Sequence, residues 1–265
     1  MSTSASAAAS ASASASVNKL PPIAIAQLDA IAALQVRNDR KYVVDEATAD
    51  LMVSDLAADL KVLEIDGLRT FNYRSVYFDT PNFDLHHAAA GGRRRRFKVR
   101  TRVYEDSGQA MLEVKTKDGR GRTVKERIDY DIDDSSQLTP EGRRFLQMAL
   151  VSSGVPVTDD VLSDTGLQPV LITAYRRSTV VHETSGTRAT IDRGLVCTAT
   201  DGRCISLDAV IVESKSLTAA GPIDRWMWAH GHRPVKISKC STGLAALHPE
   251  LPSNKWRRTL DRHFS

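Results

Sequence analysis

The sequence predicts an α+β fold: a closed antiparallel β-barrel of about eight strands, polar inside, with helices around its outside. Three observations predict it. Arg96, Lys98, Arg100 and Arg102 occupy every second position of a strand-like run, which places like charges on one face. The period of two recurs at Glu113-Val114-Lys115-Thr116-Lys117 and Lys125-Glu126-Arg127, and again at Arg188 and Glu213-Ser214-Lys215. One such strand is a solvated face; several suggest a sheet whose charged side surrounds something strongly anionic. Turn signals separate the runs at hairpin distances, and consecutive hairpins pair antiparallel. Charge on one face and apolar residues on the other close most economically with the charge inward and helices over the apolar side.

Taken in order, residues 1–17 are almost entirely Ser and Ala, with no basic start and no run of large apolar residues. They do not read as a secretory signal, and residues 1–20 are expected to be a disordered tail. Pro21-Pro22 opens a domain expected over 21–250. Ile23 to Val36 is apolar enough for a helix, and Arg40-Lys41-Tyr42-Val43-Val44 reads as a short strand. Asp45 is a plausible N-cap for a helix through Leu63, with Leu51, Leu56, Leu60 and Leu63 at helical spacing, and Gly67 as its stop. Tyr73 to Asp79 alternates as a strand and ends at Thr80-Pro81. Residues 82–90 form a short helix or loop broken by Gly91-Gly92. Strands follow at 96–104, 109–117 and 122–132, the last two joined by Asp118-Gly119-Arg120-Gly121, a hairpin signal. Pro140 to Ser152 is helical. Residues 168–183, 187–193 and 207–216 are strands, Pro222 to His230 is a helix begun by proline, and Ser241 to Leu247 a shorter one. Residues 251–265 are read as a C-terminal tail.

With 265 residues, 42% hydrophobic and 26% charged, the chain is long enough for one large domain with its own core. A net charge of +4 suits a phosphate-rich ligand without requiring nucleic acid. The aromatic interleaving of single-strand binders is thin, which argues against nucleic acid as a partner. Arg93 to Arg96 reads as a solvated rim that attracts anions. Cys197, Cys204 and Cys240 have no metal-ligand spacing and read as reduced thiols of a cytoplasmic protein; Cys197 and Cys204 could face each other across a hairpin, without a disulfide. His86-His87 and His230-Gly231-His232 lack a third ligand. Asp129 to Asp134 lacks the glycine and terminal Glu of a calcium loop. No apolar stretch reaches about 18 residues, so no membrane span is expected.

Several segments together resemble the VTC domain, the polyphosphate polymerase module of the triphosphate tunnel metalloenzyme (CYTH-like) superfamily. They are Arg40-Lys41-Tyr42, Ser75-Val76-Tyr77-Phe78-Asp79-Thr80-Pro81, Lys98 to Tyr104, Leu112-Glu113-Val114-Lys115, Ala174-Tyr175-Arg176-Arg177, Thr187 to Asp192, Val212-Glu213-Ser214-Lys215 and Ile237 to Gly243. They stand in the family's order across residues 37–247. The resemblance implies a tunnel lined by Lys41, Arg100, Arg102, Lys115, Arg177, Arg188 and Lys239 as its catalytic basic groups. Lys98, Tyr175 and Lys215 would contact substrate. Glu213 would hold a divalent cation, Mn²⁺ or Mg²⁺, with Glu113 assisting. The implied activity is transfer of the ATP γ-phosphate to a growing polyphosphate, which makes ATP and polyphosphate the partners. Hydrolysis of triphosphate or short polyphosphate, and non-catalytic sensing of polyphosphate or inositol phosphates, are the alternatives. Any coupling to membrane transport would need a separate membrane partner.

The chain also departs from the pattern. The ExExK signature of triphosphate hydrolases is represented only by Arg37-Asn38-Asp39-Arg40-Lys41, which argues against a triphosphatase. Cys240 replaces the usual aromatic after Ser238-Lys239, and His86-His87 with three alanines follows the Asp-Thr-Pro turn where Arg or Tyr is common. The chemistry asks for arginines, whose planar fork binds two phosphate oxygens while staying protonated, and for lysines as mobile point charges. Phosphoryl transfer of this kind needs alignment and charge stabilisation more than covalent help.

Overall fold

The computed structural model describes residues 15–31, 38–117, 123–216 and 220–264. The part of the expected tail before Ala15 and the hairpin tip Asp118 to Gly121 lie outside the described residues. A 3-10 turn at Val17–Lys19 precedes β1 (Pro22–Ile23) and α1 (Ile25–Ile31). After β2 (Asn38–Val44), Asp45 caps α2 (Glu46–Asp55) by accepting the Thr48 N–H at 2.7 Å. β3 (Leu60–Leu63) and β4 (Phe71–Asp79) follow, then α3 (Asp84–Ala90). Three successive strands, β5 (Arg96–Tyr104), β6 (Gln109–Lys117) and β7 (Thr123–Tyr130), run antiparallel. Next are α4 (Pro140–Ser152), α5 (Asp159–Leu162), the long strands β8 (Gln168–His182) and β9 (Thr187–Ala199), then β10 (Cys204–Ser206) and β11 (Val210–Ser216). The chain ends with α6 (Pro222–Ala229), α7 (Lys239–Leu247) and α8 (Arg257–His263); α8 lies within the segment read as a tail, where Trp256 and Thr259 are buried.

The helix expected to run from Asp45 to Leu63 stops at Asp55, and Leu60–Leu63 is a strand. The Leu56 N–H closes the helix on Met52 O, and Ala49, Met52 and Val53, not an exposed Leu51, form its buried stripe. Leu60 and Val62 gain two ladders instead, parallel to β1 and antiparallel to β8. Tertiary pairing overrides a leucine spacing that suits either structure. Cys197 and Cys204 do not face each other: Cys204 lies opposite Thr198 and Cys197 opposite Ile205, and all three cysteines are free thiols.

Two compact units make up the chain. The first combines the described parts of Met1–Thr70 with Arg177–Arg193 and Ala209–Val235. Its strands lie in the order β2-β11-β9-β8-β3-β1. Tyr42, Val44, Ala189, Ile191, Val210 and Val212 leave one face of this sheet and pack against α2 and α6 through Met52, Val53, Ile223 and Met227. The second unit combines Phe71–Arg176, Gly194–Asp208 and Lys236–Ser265. There β8 is followed by β4, β5, β6 and β7. Val76, Phe78, Phe97, Val99, Leu112 and Val114 form its apolar face, covered by Phe145, Leu146, Ala149 and Leu150 of α4. In both units the helices cover the apolar side of an antiparallel sheet, so the other side is left to polar groups.

The closed barrel expected from sequence is not formed. The main ladder is an eight-strand path that begins at β2 and ends at β7, and no pairing joins those two strands among the described residues. Both terminal strands are dense in charge, with Asp39, Arg40 and Lys41 on β2 and Lys125, Glu126, Arg127 and Asp129 on β7. Charged side chains on an edge strand resist further strand pairing, and on β2 the Lys41 carbonyl is taken by the Val235 N–H at 2.8 Å. The fold is α+β with a large open antiparallel sheet.

Candidate functional site

Register decides which side chains meet on the polar face of the second unit. Arg100 lies opposite Tyr77 on β4 and opposite Glu113 on β6, and Glu113 lies opposite Arg127 on β7. One rung away, Lys98, Lys115 and Lys125 stand side by side across three strands. Residues directly opposite in an antiparallel pair share a face, so these rungs make one charged surface.

Its anchor is Glu113, 3% exposed. The carboxylate accepts from Arg100 Nε at 2.7 Å and Nη2 at 2.6 Å, pairs with Lys125, and lies 3.8 Å from Arg102 Nε. Burial alone would raise its pKa, but the charges of Arg100, Arg102 and Lys125 prevail and hold the carboxyl well below its usual range. Arg100 also donates to Tyr77 Oη at 2.7 Å, and burial pushes the Tyr77 phenol up. Arg102 reaches Tyr175 Oη at 3.4 Å and lies 5.4 Å from the Tyr73 ring centre. Tyr73 stacks on Tyr175 at 5.4 Å with 12° between planes, and Lys239 Nζ lies 4.5 Å from the Tyr175 ring centre. Two cations are thus held on a pair of stacked phenols, which keeps their long side chains from spreading. Lys98 Nζ donates to Ser238 Oγ at 2.8 Å and Ser241 Oγ at 2.6 Å, tying β5 to the first turn of α7. Gly243 permits α7 to lie close, since a Cβ there would sit 2.7 Å from Cys197 Sγ.

The polar face of the first unit is built on the same plan. Glu213 of β11 lies opposite Lys41 of β2 and Thr190 of β9, and Lys215 opposite Asp39 and Arg188. Lys41 Nζ stands 3.8 Å from Glu213 Oε2, and Lys215 pairs with Oε1 of the same carboxylate. Burial works against ionisation of Glu213, yet Lys41, Lys215 and Arg177 hold its carboxyl well below the usual range. Arg177 clasps buried Asp192 in a two-bond fork at 2.6 and 2.7 Å. Arg188 lies 3.5 Å from Asp29. The motif Arg40-Lys41-Tyr42 divides between faces. Lys41 joins the charged side, while Arg40 and Tyr42 turn to the helices, where Asp224 Oδ1 accepts from Tyr42 Oη at 2.8 Å and Oδ2 lies 3.2 Å from Arg40.

Of the residues read from sequence, Lys98, Arg100, Arg102, Glu113, Tyr175 and Lys239 meet in the second unit, with Lys115 exposed on the adjoining rung. Lys41, Arg177, Arg188, Glu213 and Lys215 meet in the first. Tyr73, Tyr77, Lys125, Ser238 and Asp192 were not singled out as site residues. A register count through the four-residue connection after Tyr104 would have placed Arg100 opposite Glu113; Tyr77 lies on β4, beyond α3, and no such count reaches it. Nothing in the sequence marks the Tyr73–Tyr175 stack, which joins β4 to β8.

A family model described as VTC domain matches residues 36–248. No curated protein matches the chain. Among solved structures, a Bacillus halodurans protein described as a candidate adenylate cyclase is 14% identical, with 77% of this chain and 94% of that chain covered and a TM-score of 0.47. A Hippeastrum adenylyl cyclase candidate, described as having a dominant triphosphatase activity, is 16% identical over 78% of this chain and 94% of that one, at a TM-score of 0.48. A candidate adenylate cyclase from Vibrio parahaemolyticus is 16% identical over 82% and 89%, at 0.39. These are similarities of those proteins to this chain and carry no further weight.

Proposed function

The chain belongs to the VTC domain family, and from that premise we propose that it is a polyphosphate polymerase that transfers the γ-phosphate of ATP to the end of a polyphosphate chain and releases ADP. The observation that carries this reading is the cluster of Arg100, Arg102, Lys98 and Lys239, with its donors already aligned by Glu113, Tyr73, Tyr77 and Tyr175. In phosphoryl transfer, charge spreads over the equatorial and bridging oxygens, and fixed cationic donors stabilise it without reorganising. Arg100 and Arg102 supply forked donors to phosphate oxygens; Lys98, Lys115 and Lys239 supply compact charges along the same face. No protein nucleophile is needed. Burial pushes the thiols of Cys197 and Cys240 up to about 12 and about 11, so neither supplies a thiolate near neutral pH.

Mg²⁺ or Mn²⁺ keeps waters and substrate phosphates as most of its ligands and asks the protein for one or two carboxylates. Glu213 fits that demand: its side chain keeps 15% exposure and its carboxyl is ionised. Glu113 fits it less well, because it is only 3% exposed and takes two donors from Arg100 as well as Lys125. Among the described residues no group of three His, Cys, Asp or Glu side chains could hold a metal, so phosphate and water would complete the shell. When bound, the ion would offset phosphate charge. Lys41 and Lys215 would release Glu213 toward it and turn to phosphate oxygens.

Incubation of the protein with ATP and Mn²⁺, read for ADP and for polymer on a gel, tests the reading. Polymer with matching ADP is expected; phosphate release without polymer would make the protein a hydrolase, and binding of polyphosphate with neither product a sensor. Glu213→Gln is expected to keep most nucleotide binding and lose metal-stimulated turnover. Full turnover in that variant would remove Glu213 from metal binding.

A further inference from the structure

The charged face of the second unit does not stop at the Lys98 rung. The next rung pairs Arg96 directly with Lys117, a like-charge pair that opposes folding unless an anion offsets it. Around this end gather cations from three other segments. Lys255 donates to Ala89 O at 2.6 Å at the close of α3 and lies against Gly92, whose φ of +70° turns the chain into the Arg93 to Arg95 run. Lys236 is brought alongside by its carbonyl, which accepts from Thr259 Oγ1 at 3.3 Å. Arg93, Arg94, Arg95, Lys236 and Lys255 are exposed. Among the described residues no carboxylate lies within salt-bridge distance of any of these cations. Partial burial and the charges of Arg96, Lys236 and Lys117 lower the Lys255 pKa, a sign that the group is crowded by its own kind. Elsewhere on the same sheet, Glu113 balances the arginines; here, among the described residues, no carboxylate does.

Resting on the reading of the site as a polyphosphate site, we propose that this patch is a second, outer binding surface for the same polymer, which holds a long polyphosphate chain at a distance from the reacting end. The distance selects for length. From Arg102 to Arg96 the strand advances six residues, about 20 Å. A triphosphate seated at Arg100 and Arg102 is too short to extend over the four residues from Arg100 to Arg96, whereas a long chain lying along the strand meets the rungs in turn. Polymer would therefore bind more tightly than triphosphate, by contacts that do not touch the transferred phosphoryl group.

The test compares tripolyphosphate, long-chain inorganic polyphosphate and a single-stranded RNA oligonucleotide of comparable charge, titrated into the full chain and into two variants. One is Lys236→Ala with Lys255→Gln, which keeps a donor for Ala89 O; the other, on the exposed loop and without packing consequences, replaces Arg93, Arg94 and Arg95 by Ala. Each variant is expected to lose about tenfold in affinity for long polyphosphate at low salt, with a shallower salt dependence, and to bind tripolyphosphate as before. Equal losses for both phosphate ligands, or no loss for either, would overturn the outer site. A larger loss for RNA than for polyphosphate would also overturn it and give the patch to nucleic acid. A wild-type chain that binds neither phosphate ligand would overturn the polyphosphate reading itself, whereas binding of both with unaltered variants removes the patch alone.

Discussion

Glu113 carries the electrostatic balance of its neighbourhood, with Arg100, Arg102 and Lys125 converging on one buried carboxylate. Removing one partner of such a cluster leaves like charges facing each other with little water to screen them. Glu113→Gln is expected to lower the unfolding free energy by about 3–5 kcal/mol, measured by urea denaturation. A loss well under 1 kcal/mol would mean that solvent already balances the three cations. Asp79 poses the opposite case. Burial raises its pKa to about 6, against the pull of backbone N–H groups of Leu85, His86 and Thr80 that bond the carboxylate, and with Asp84 adding to the rise. An acid whose folded pKa is raised binds a proton in the folded chain that the unfolded chain has released. Between an ordinary 3.8 and about 6, that proton favours folding, and the contribution is lost as pH rises through this window. The difference in unfolding free energy between the wild type and Asp79→Asn should shrink from pH 4 to pH 6 and then level. A difference that grows over the same range would show Asp79 to be ionised throughout.

Elements read correctly from sequence are those whose periodicity and end signals agree. Pro140 at the first turn, the Thr139 side chain accepting the Gly142 N–H at 3.1 Å, and an apolar stripe at Leu146, Ala149 and Leu150 fix α4 to Pro140–Ser152, as the sequence reading had it. Leu146 is fully buried among Val99, Leu112 and Val114 in the same cluster, so Leu146→Ala should cost about 2–5 kcal/mol in unfolding free energy. A smaller loss would show that the α4 interface collapses around the missing side chain. β3 was misread because Leu60 and Leu63 suit a helix as well as a strand, and its partners β1 and β8 lie far along the chain. The charged face was legible for a local reason: alternation in β5, β6 and β11 already separates Lys and Arg from Val and Leu. What alternation cannot show is the identity of the neighbour across the ladder. Lys125 as the partner of Glu113, and Tyr73 as the partner of Tyr175, depend on register and on a strand pairing that no short window contains.

At the scale of the whole molecule, the two-sided sheet, charged on one face and apolar under the helices on the other, was correct for each unit, while closure was not. The two-sidedness belongs to each strand's own sequence, but closure depends on whether the last strand meets the first, and that is a property of edges. The order of strands carries a consequence for how the chain is made. Each unit is assembled from three separate stretches, and the first is not complete until Val235 is available, although Thr70 ends its opening stretch. Synthesis proceeds from the N-terminus at about 5–20 residues per second. β2, with its line of charge, must therefore wait on the order of ten seconds for β11 after it has left the ribosome. During that interval its unpaired backbone is guarded by Asp39, Arg40 and Lys41, the last of which we assign to phosphate binding in the finished protein. The same residues thus serve the nascent chain as protection against aggregation before they serve the folded one as a binding face.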